Sequence, residues 1–204
     1  MDGQTQLTVR RLPVWTLAIC AGAMLIFIVP WLGTQLIYDR TAVIRGELWR
    51  LMTGNLVHLS TSHLAYDLAA FMISGTIIEI RGYRYFAMLC FLTAMMIGVA
   101  ILAFEPALHY YGGLSGVVTA TVTYFCLHGL ADKGSWRWLC AGLLAGLAIK
   151  LWSEMWIGNS LLLSVSTEAF VPVPLSHLIG AFSALLLFIL MRLSACIRCT
   201  KTAV

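Results

Sequence analysis

The sequence predicts an all-α, polytopic membrane protein, a bundle of six spanning helices, and three observations predict it. Hydrophobic residues make up 60% of the chain and charged residues 11%, with a mean hydropathy of +0.89, whereas a soluble domain is about half apolar and a quarter charged. The apolar residues are gathered into runs of roughly 20, the length that crosses the hydrocarbon core of a bilayer. Finally, 204 residues hold about six such helices with short connections and leave no sizeable soluble domain. A single membrane domain over residues 1–204 is expected, with the lipid bilayer as its first partner. The net charge of +4 then reads as a topology signal, and no nucleic-acid partner is expected.

The elements follow in order. A polar tail ends at Arg10 and Arg11, and the apolar run over 14–32 is the first span. It exceeds the apolar core of a signal peptide and lacks a small-x-small cleavage site, so a retained helix is expected. Residues 33–61 form an interfacial segment. The stretch GTQLIYDRTAVIRGELWRLMTGN within it is too charged to span and too rich in Leu, Ile and Trp for a solvated loop. The second and third spans cover 62–80 and 83–104, separated by Arg81 and Gly82; the fourth, fifth and sixth cover 113–130, 136–156 and 174–193. No internal repeat is evident.

Basic residues set the orientation. With the N-terminus inside, Arg10, Arg11, Arg81, Arg84, Lys133, Arg137, Arg192, Arg198 and Lys201 are cytoplasmic, nine of the thirteen Lys and Arg. The other side holds Arg40, Arg45, Arg50 and Lys150 with most of the loop acids, counted as Asp39, Glu47, Glu105, Glu154 and Glu168. The positive-inside rule therefore places both termini in the cytoplasm, and Ser115, at the start of the fourth span, lies near the outer face.

That serine sits in YGGLSGVVT, Tyr111 to Thr119, at the mouth of an apolar helix, where Gly112, Gly113 and Gly116 let a backbone approach closely. Small residues also serve helix packing, so a catalytic serine needs a partner at its own depth. His177, one turn into the sixth span, has that depth, and Gly180 and Ala184 give its helix a small-residue stripe for close packing against the fourth. His63 and Asp67, one turn apart at the outer end of the second span, reach the same level. Ionisable residues inside a span are costly and face the protein interior, so their clustering at one level points to an active site.

The segments GELWRLMTGNLVHLSTSHLAYDL, GTIIE at Gly75 to Glu79, GLSG at Gly113 to Gly116 and HLIG at His177 to Gly180, in this order across the membrane core, resemble the rhomboid intramembrane serine proteases. The resemblance implies a Ser115–His177 dyad, serine as nucleophile and histidine as base. It implies that His63, Asp67 and Gly113 line the oxyanion and substrate site. It also implies single-span membrane proteins as substrates, no metal and no cofactor, and a bacterial inner membrane with the active site towards the periplasm. KLWSE at Lys150 to Glu154 and PLSHLIGA resemble the rhombosortase branch, associated with proteins carrying a C-terminal Gly-Gly motif, one span and a basic tail. Two positions depart from the family's pattern. Asp67 stands where asparagine is commoner, and Thr119 stands where many bacterial rhomboids carry a tyrosine stacked on the histidine, so the histidine must be positioned by something else.

Two other function classes compete. A non-catalytic rhomboid-like protein that binds membrane clients would not need Ser115 and His177. A small transporter would spread polar residues through the bilayer and favour an internal repeat. His58 and Glu79 are expected to be architectural, and His109 and His128 to have no catalytic duty. The seven tryptophans fall near span ends, as the aromatic belt requires. Cys20, Cys90, Cys126 and Cys140 read as buried free thiols, and Cys196 and Cys199 have CxxC spacing without a second pair or a nearby histidine. No run has the spacing of a zinc signature such as HExxH.

Overall fold

The computed structural model describes residues 12–157 and 173–201, the side chains of 195–201 excepted. Arg10, Arg11 and Glu168 lie outside the described residues, as do the side chains of Cys196 and Cys199. Nine helices are described: α1 (Val14–Ile28), α2 (Pro30–Leu36), α3 (Arg40–Ile44), α4 (Arg50–Thr53), α5 (Thr61–Ile80), α6 (Phe86–Phe104), α7 (Ser115–Gly129), α8 (Ser135–Ile157) and α9 (Pro174–Lys201). Two short strands, β1 (Tyr38–Asp39) and β2 (Tyr110–Tyr111), complete the order.

Among the described residues, four helices are long and apolar enough to cross a membrane: α5, α6, α8 and α9 as far as Ser194. The bent pair α1–α2 makes a fifth candidate. The chain is an all-α, multi-pass membrane bundle. The first expected span, 14–32, is corrected by the structure. Proline has no N–H and its ring blocks the preceding turn, so Pro30 ends α1 at Ile28 and starts α2 after a turn of 109°. The fourth expected span, 113–130, is also shortened. Gly113 has φ +136°, a non-helical backbone, and α7 begins only at Ser115 and runs 15 residues. A helix of that length rises about 22 Å, short of the hydrocarbon thickness. It is enclosed along most of its length by its neighbours, with Gly116, Val117, Thr119 to Thr121 and Thr123 to Cys126 all buried.

The α7–α9 crossing is a close one. A Cβ on Gly180 would collide with the Gly116 carbonyl oxygen, and one on Gly116 would sit 2.8 Å from the Ser176 carbonyl oxygen. Only hydrogen fits at both places, the small-residue mode of membrane helix packing. Hydroxyl pairs tie the neighbours across buried interfaces: Thr93 Oγ1 to Ser183 Oγ at 2.6 Å joins α6 to α9, and Ser74 Oγ to Thr121 Oγ1 at 2.7 Å joins α5 to α7.

The segment over 33–61 is built of short helices anchored by polar contacts. Arg50 is buried, paired with Glu47 at 2.7 Å, and donates to the carbonyls of Thr34 and Ile37 at 3.0 and 2.9 Å. Asp39 caps α3 by accepting from the N–H groups of Thr41 and Ala42. β1 pairs antiparallel with β2, Tyr38 opposite Tyr111, and this joins the interfacial segment to the loop that leads into α7. At the other end of the bundle, Glu79 has the architectural role expected of it. Its carboxylate accepts from the N–H groups of Trp15 and Thr16 and from Thr16 Oγ1, satisfying the positive end of α1.

Candidate active site

Ser115 opens α7, so its N–H belongs to the first turn, whose N–H groups have no acceptor within the helix. The glycine contact between α7 and α9 brings its side chain to His177, with Oγ 2.9 Å from Nε2. His177 is buried and Ser115 is half-buried. The other imidazole nitrogen, Nδ1, lies 2.7 Å from Glu154 Oε2. Glu154 Oε1 in turn pairs with Lys150 Nζ at 2.7 Å, and the same ammonium approaches His177 Nδ1 to 3.1 Å. Thr119, at the position where the stacking tyrosine is absent, gives its hydroxyl to the Ser115 carbonyl at 2.9 Å. The groups that meet the far side of the His177 ring come instead from α8.

A second polar cluster adjoins the serine through Gly113 and Leu114. Asp67 Oδ2 lies 3.0 Å from His58 Nε2 and 3.2 Å from His63 Nε2, and all three residues are buried. Leu114 N–H points at His58 Nε2 across 3.4 Å. A Cβ on Gly113 would stand 2.5 Å from His63 Cε1 and 3.0 Å from its Nε2, so glycine is required there both for φ and for the edge of this ring. Tyr111 donates to the Gly113 carbonyl at 3.3 Å. Burial pushes the Tyr111 phenol well above its ordinary range, which keeps it a donor.

His58 also carries a constraint on protons. Its Nδ1 faces the Leu56 carbonyl at 3.2 Å, an acceptor only, so Nδ1 carries the hydrogen and Nε2 of the neutral ring is an acceptor. A 3.0 Å contact between that nitrogen and Asp67 Oδ2 then requires one proton held between them. Asp67 is thus shared by two histidines, where sequence reasoning paired it with His63 alone.

The sequence offers no metal signature by spacing, yet the fold gathers His58, His63 and Asp67 with ligand atoms within 4.8 Å of one another, a donor set of two imidazoles and one carboxylate. Hydrogen bonding already accounts for both nitrogens of His58 and for Asp67 Oδ2.

A rhomboid domain matches residues 45–194, most of the chain and every side chain of the two clusters. The chain belongs to the rhomboid family. It is 31% identical over 162 residues to rhomboid proteases GlpG of Salmonella paratyphi A and Salmonella typhi, covering 70% of this chain and 58% of each relative. GlpG of Salmonella newport is 30% identical over the same extent. This rhomboid therefore spans a little over half the length of the curated relatives it matches.

Sequence reasoning named Ser115, His177, His63, Asp67 and Gly113, and the fold puts the first two in contact and the other three beside them. It singled out KLWSE only as a mark of resemblance and missed that Lys150 and Glu154 meet His177, counting Glu154 among loop acids, and it gave His58 no place near the serine. A signal for the first pair was present. A lysine and a glutamate one turn apart inside an apolar helix are an ion pair that must face the protein interior, and they lie at the end of their span that shares the level of His177.

Proposed function

We propose that this rhomboid is an intramembrane serine endopeptidase, and the Ser115 Oγ to His177 Nε2 distance of 2.9 Å carries the reading. A serine hydroxyl is a weak nucleophile until a base takes its proton. Ser115 Oγ attacks the scissile carbonyl while His177 Nε2 accepts that proton, and the imidazolium returns it to the leaving amine. Water then enters by the same route and releases the acyl group. The oxyanion forms beside the Ser115 N–H, with His63 on its other side, where its Nε2 edge borders Gly113. Asp67 reaches this site through the histidines, which keeps its charge off the oxyanion.

The substrates are single-span membrane proteins, cut near the outer face of a bacterial inner membrane, with both termini of the protease cytoplasmic and the site open towards the periplasm. A peptide carbonyl inside a regular helix is hydrogen-bonded and shielded, so cleavage needs local unwinding. Glycine costs a helix about 1 kcal/mol relative to alanine, and a backbone without side chains meets the least hindrance in approaching Ser115. A Gly-Gly step preceding a C-terminal span, the rhombosortase kind of anchor, meets both requirements.

The competing reading, a rhomboid-like binder of membrane clients, gives the serine–histidine contact no work to do. The experiment co-reconstitutes the protein with a reporter whose Gly-Gly precedes its C-terminal span and with a Leu-Leu twin. The Gly-Gly reporter is expected to be cleaved by the wild type and not by Ser115→Ala. Cleavage by Ser115→Ala would refute the protease reading, and equal cleavage of the twins would refute the substrate class.

A further inference from the structure

We propose that Glu154 is a positioning residue that makes the dyad a triad, and that it does so against the competition of Lys150. The inference rests on the protease reading of the same site. To act as base, His177 must present an unprotonated Nε2 to Ser115, so its single hydrogen must sit on Nδ1. Two groups meet Nδ1, and they ask for opposite tautomers. The Glu154 carboxylate, at 2.7 Å, accepts a hydrogen from Nδ1. The Lys150 ammonium, at 3.1 Å, has only hydrogens to give and therefore asks for a bare Nδ1, which moves the ring hydrogen to Nε2 and disarms the base.

Glu154 wins on three counts. It is the closer group. It is a charged acceptor, which makes the stronger kind of hydrogen bond. It also occupies the lysine, whose Nζ lies 2.7 Å from Oε1, so the ammonium is neutralised where it stands. During attack the proton moves from Ser115 Oγ to His177 Nε2 and nowhere further. The imidazolium keeps its Nδ1 hydrogen on Glu154, which stays ionised, and the carboxylate offsets a positive charge that Lys150 alone would oppose. Local structure prepares this. Lys150 and Glu154 are one turn apart on a stripe of α8 that meets the site, while Trp152, Met155 and Trp156 on the same turns are exposed. Glu154 is 2% exposed, and a carboxylate at that depth needs the two partners it has.

The test measures kcat and KM on the Gly-Gly reporter for the wild type, Glu154→Gln, Lys150→Met, the double variant and Ser115→Ala. Glu154→Gln keeps shape and removes the charge, so Lys150 gains Nδ1; kcat is expected to fall about 100-fold or more with KM little changed, as when the triad carboxylate of a soluble serine protease is replaced by its amide. Adding Lys150→Met removes the competitor and leaves the amide oxygen to accept from Nδ1, so the double variant is expected to recover at least about tenfold over Glu154→Gln, a rescue that a purely structural role for the ion pair does not give. Lys150→Met alone keeps the carboxylate on Nδ1 and is expected to stay within about tenfold of wild type. If Glu154→Gln does not accumulate in the membrane, the double variant, which leaves no ammonium unpaired, is compared with Lys150→Met: a lower kcat at similar KM is expected, and an equal kcat would overturn the triad. A Glu154→Gln enzyme of near-normal kcat beside an inactive Ser115→Ala would overturn the triad and leave the protease reading standing. A double variant no better than Glu154→Gln, or a Lys150→Met enzyme as dead as Ser115→Ala, would overturn the competition at Nδ1. Activity surviving in Ser115→Ala would overturn both.

Discussion

Two buried carboxylates flank Ser115, and the protein handles them differently. Glu154 meets one histidine and one lysine, so its charge is balanced within the cluster. Asp67 meets two histidines and, among the described residues, no lysine or arginine, and the hydrogen bond from His58 to Leu56 leaves a proton to be shared with it. One is a negative charge between His177 and Lys150, the other a link between His58 and His63. Burial alone does not distinguish them, since both are nearly inaccessible. The partners decide which carboxylate serves as charge and which as hydrogen-bond scaffold.

The largest effect comes from removing what both clusters serve. Ser115→Ala and His177→Ala are each expected to abolish reporter cleavage, and the double variant is expected to be no worse than either, because members of a catalytic unit do not add. Near-normal turnover by His177→Ala would remove the base from the account. The comparison itself is sharpened by isosteric amides. Asp67→Asn is expected to keep cleavage within about tenfold of wild type, against the loss of about 100-fold expected of Glu154→Gln. A dead Asn variant would instead assign Asp67 an obligatory charge.

Much of this site was legible because membrane depth is a coordinate that sequence supplies. Counting spans and basic residues put Ser115, His63, Asp67 and His177 at one level before any contact was known. The same counting hid Glu154, since tallying charges by side assigns a residue to a compartment and says nothing of the neighbour it faces. The turn at Val29 was written in Pro30, but an unbroken apolar run over 14–32 outweighed it. The β1–β2 pairing was not legible. It joins strands of two residues each, Tyr38 and Asp39 with Tyr110 and Tyr111, too short for a period to show. His58 lay outside any span, and only the fold brings its ring to Asp67 and Leu114.

Smaller effects test how the clusters are held. Gly180→Val at the α7–α9 contact places a branched side chain against the Gly116 backbone. It is expected to cost roughly 1–3 kcal/mol of stability and to lower activity by parting Ser115 from His177, read by thermal unfolding in detergent together with turnover. α8 is held more loosely: 17% of its span is buried against 50% of α6's, so polar contacts to His177 do more of the work of placing Glu154. The Thr93–Ser183 pair belongs to neither cluster. Ser183→Ala is expected to cost about 0.6 kcal/mol and leave turnover alone, whereas a large loss of activity would mean that the α6–α9 contact also sets the site.

The most direct measurement is labelling by a fluorophosphonate, which reacts only with a serine whose proton a neighbouring base can take, with the adduct located by mass spectrometry of the intact protein and its peptides. The account predicts one adduct, on Ser115, absent from Ser115→Ala and from His177→Ala, and formed much more slowly in Glu154→Gln. No adduct on a folded wild-type protein, or an adduct that persists in Ser115→Ala, would contradict it.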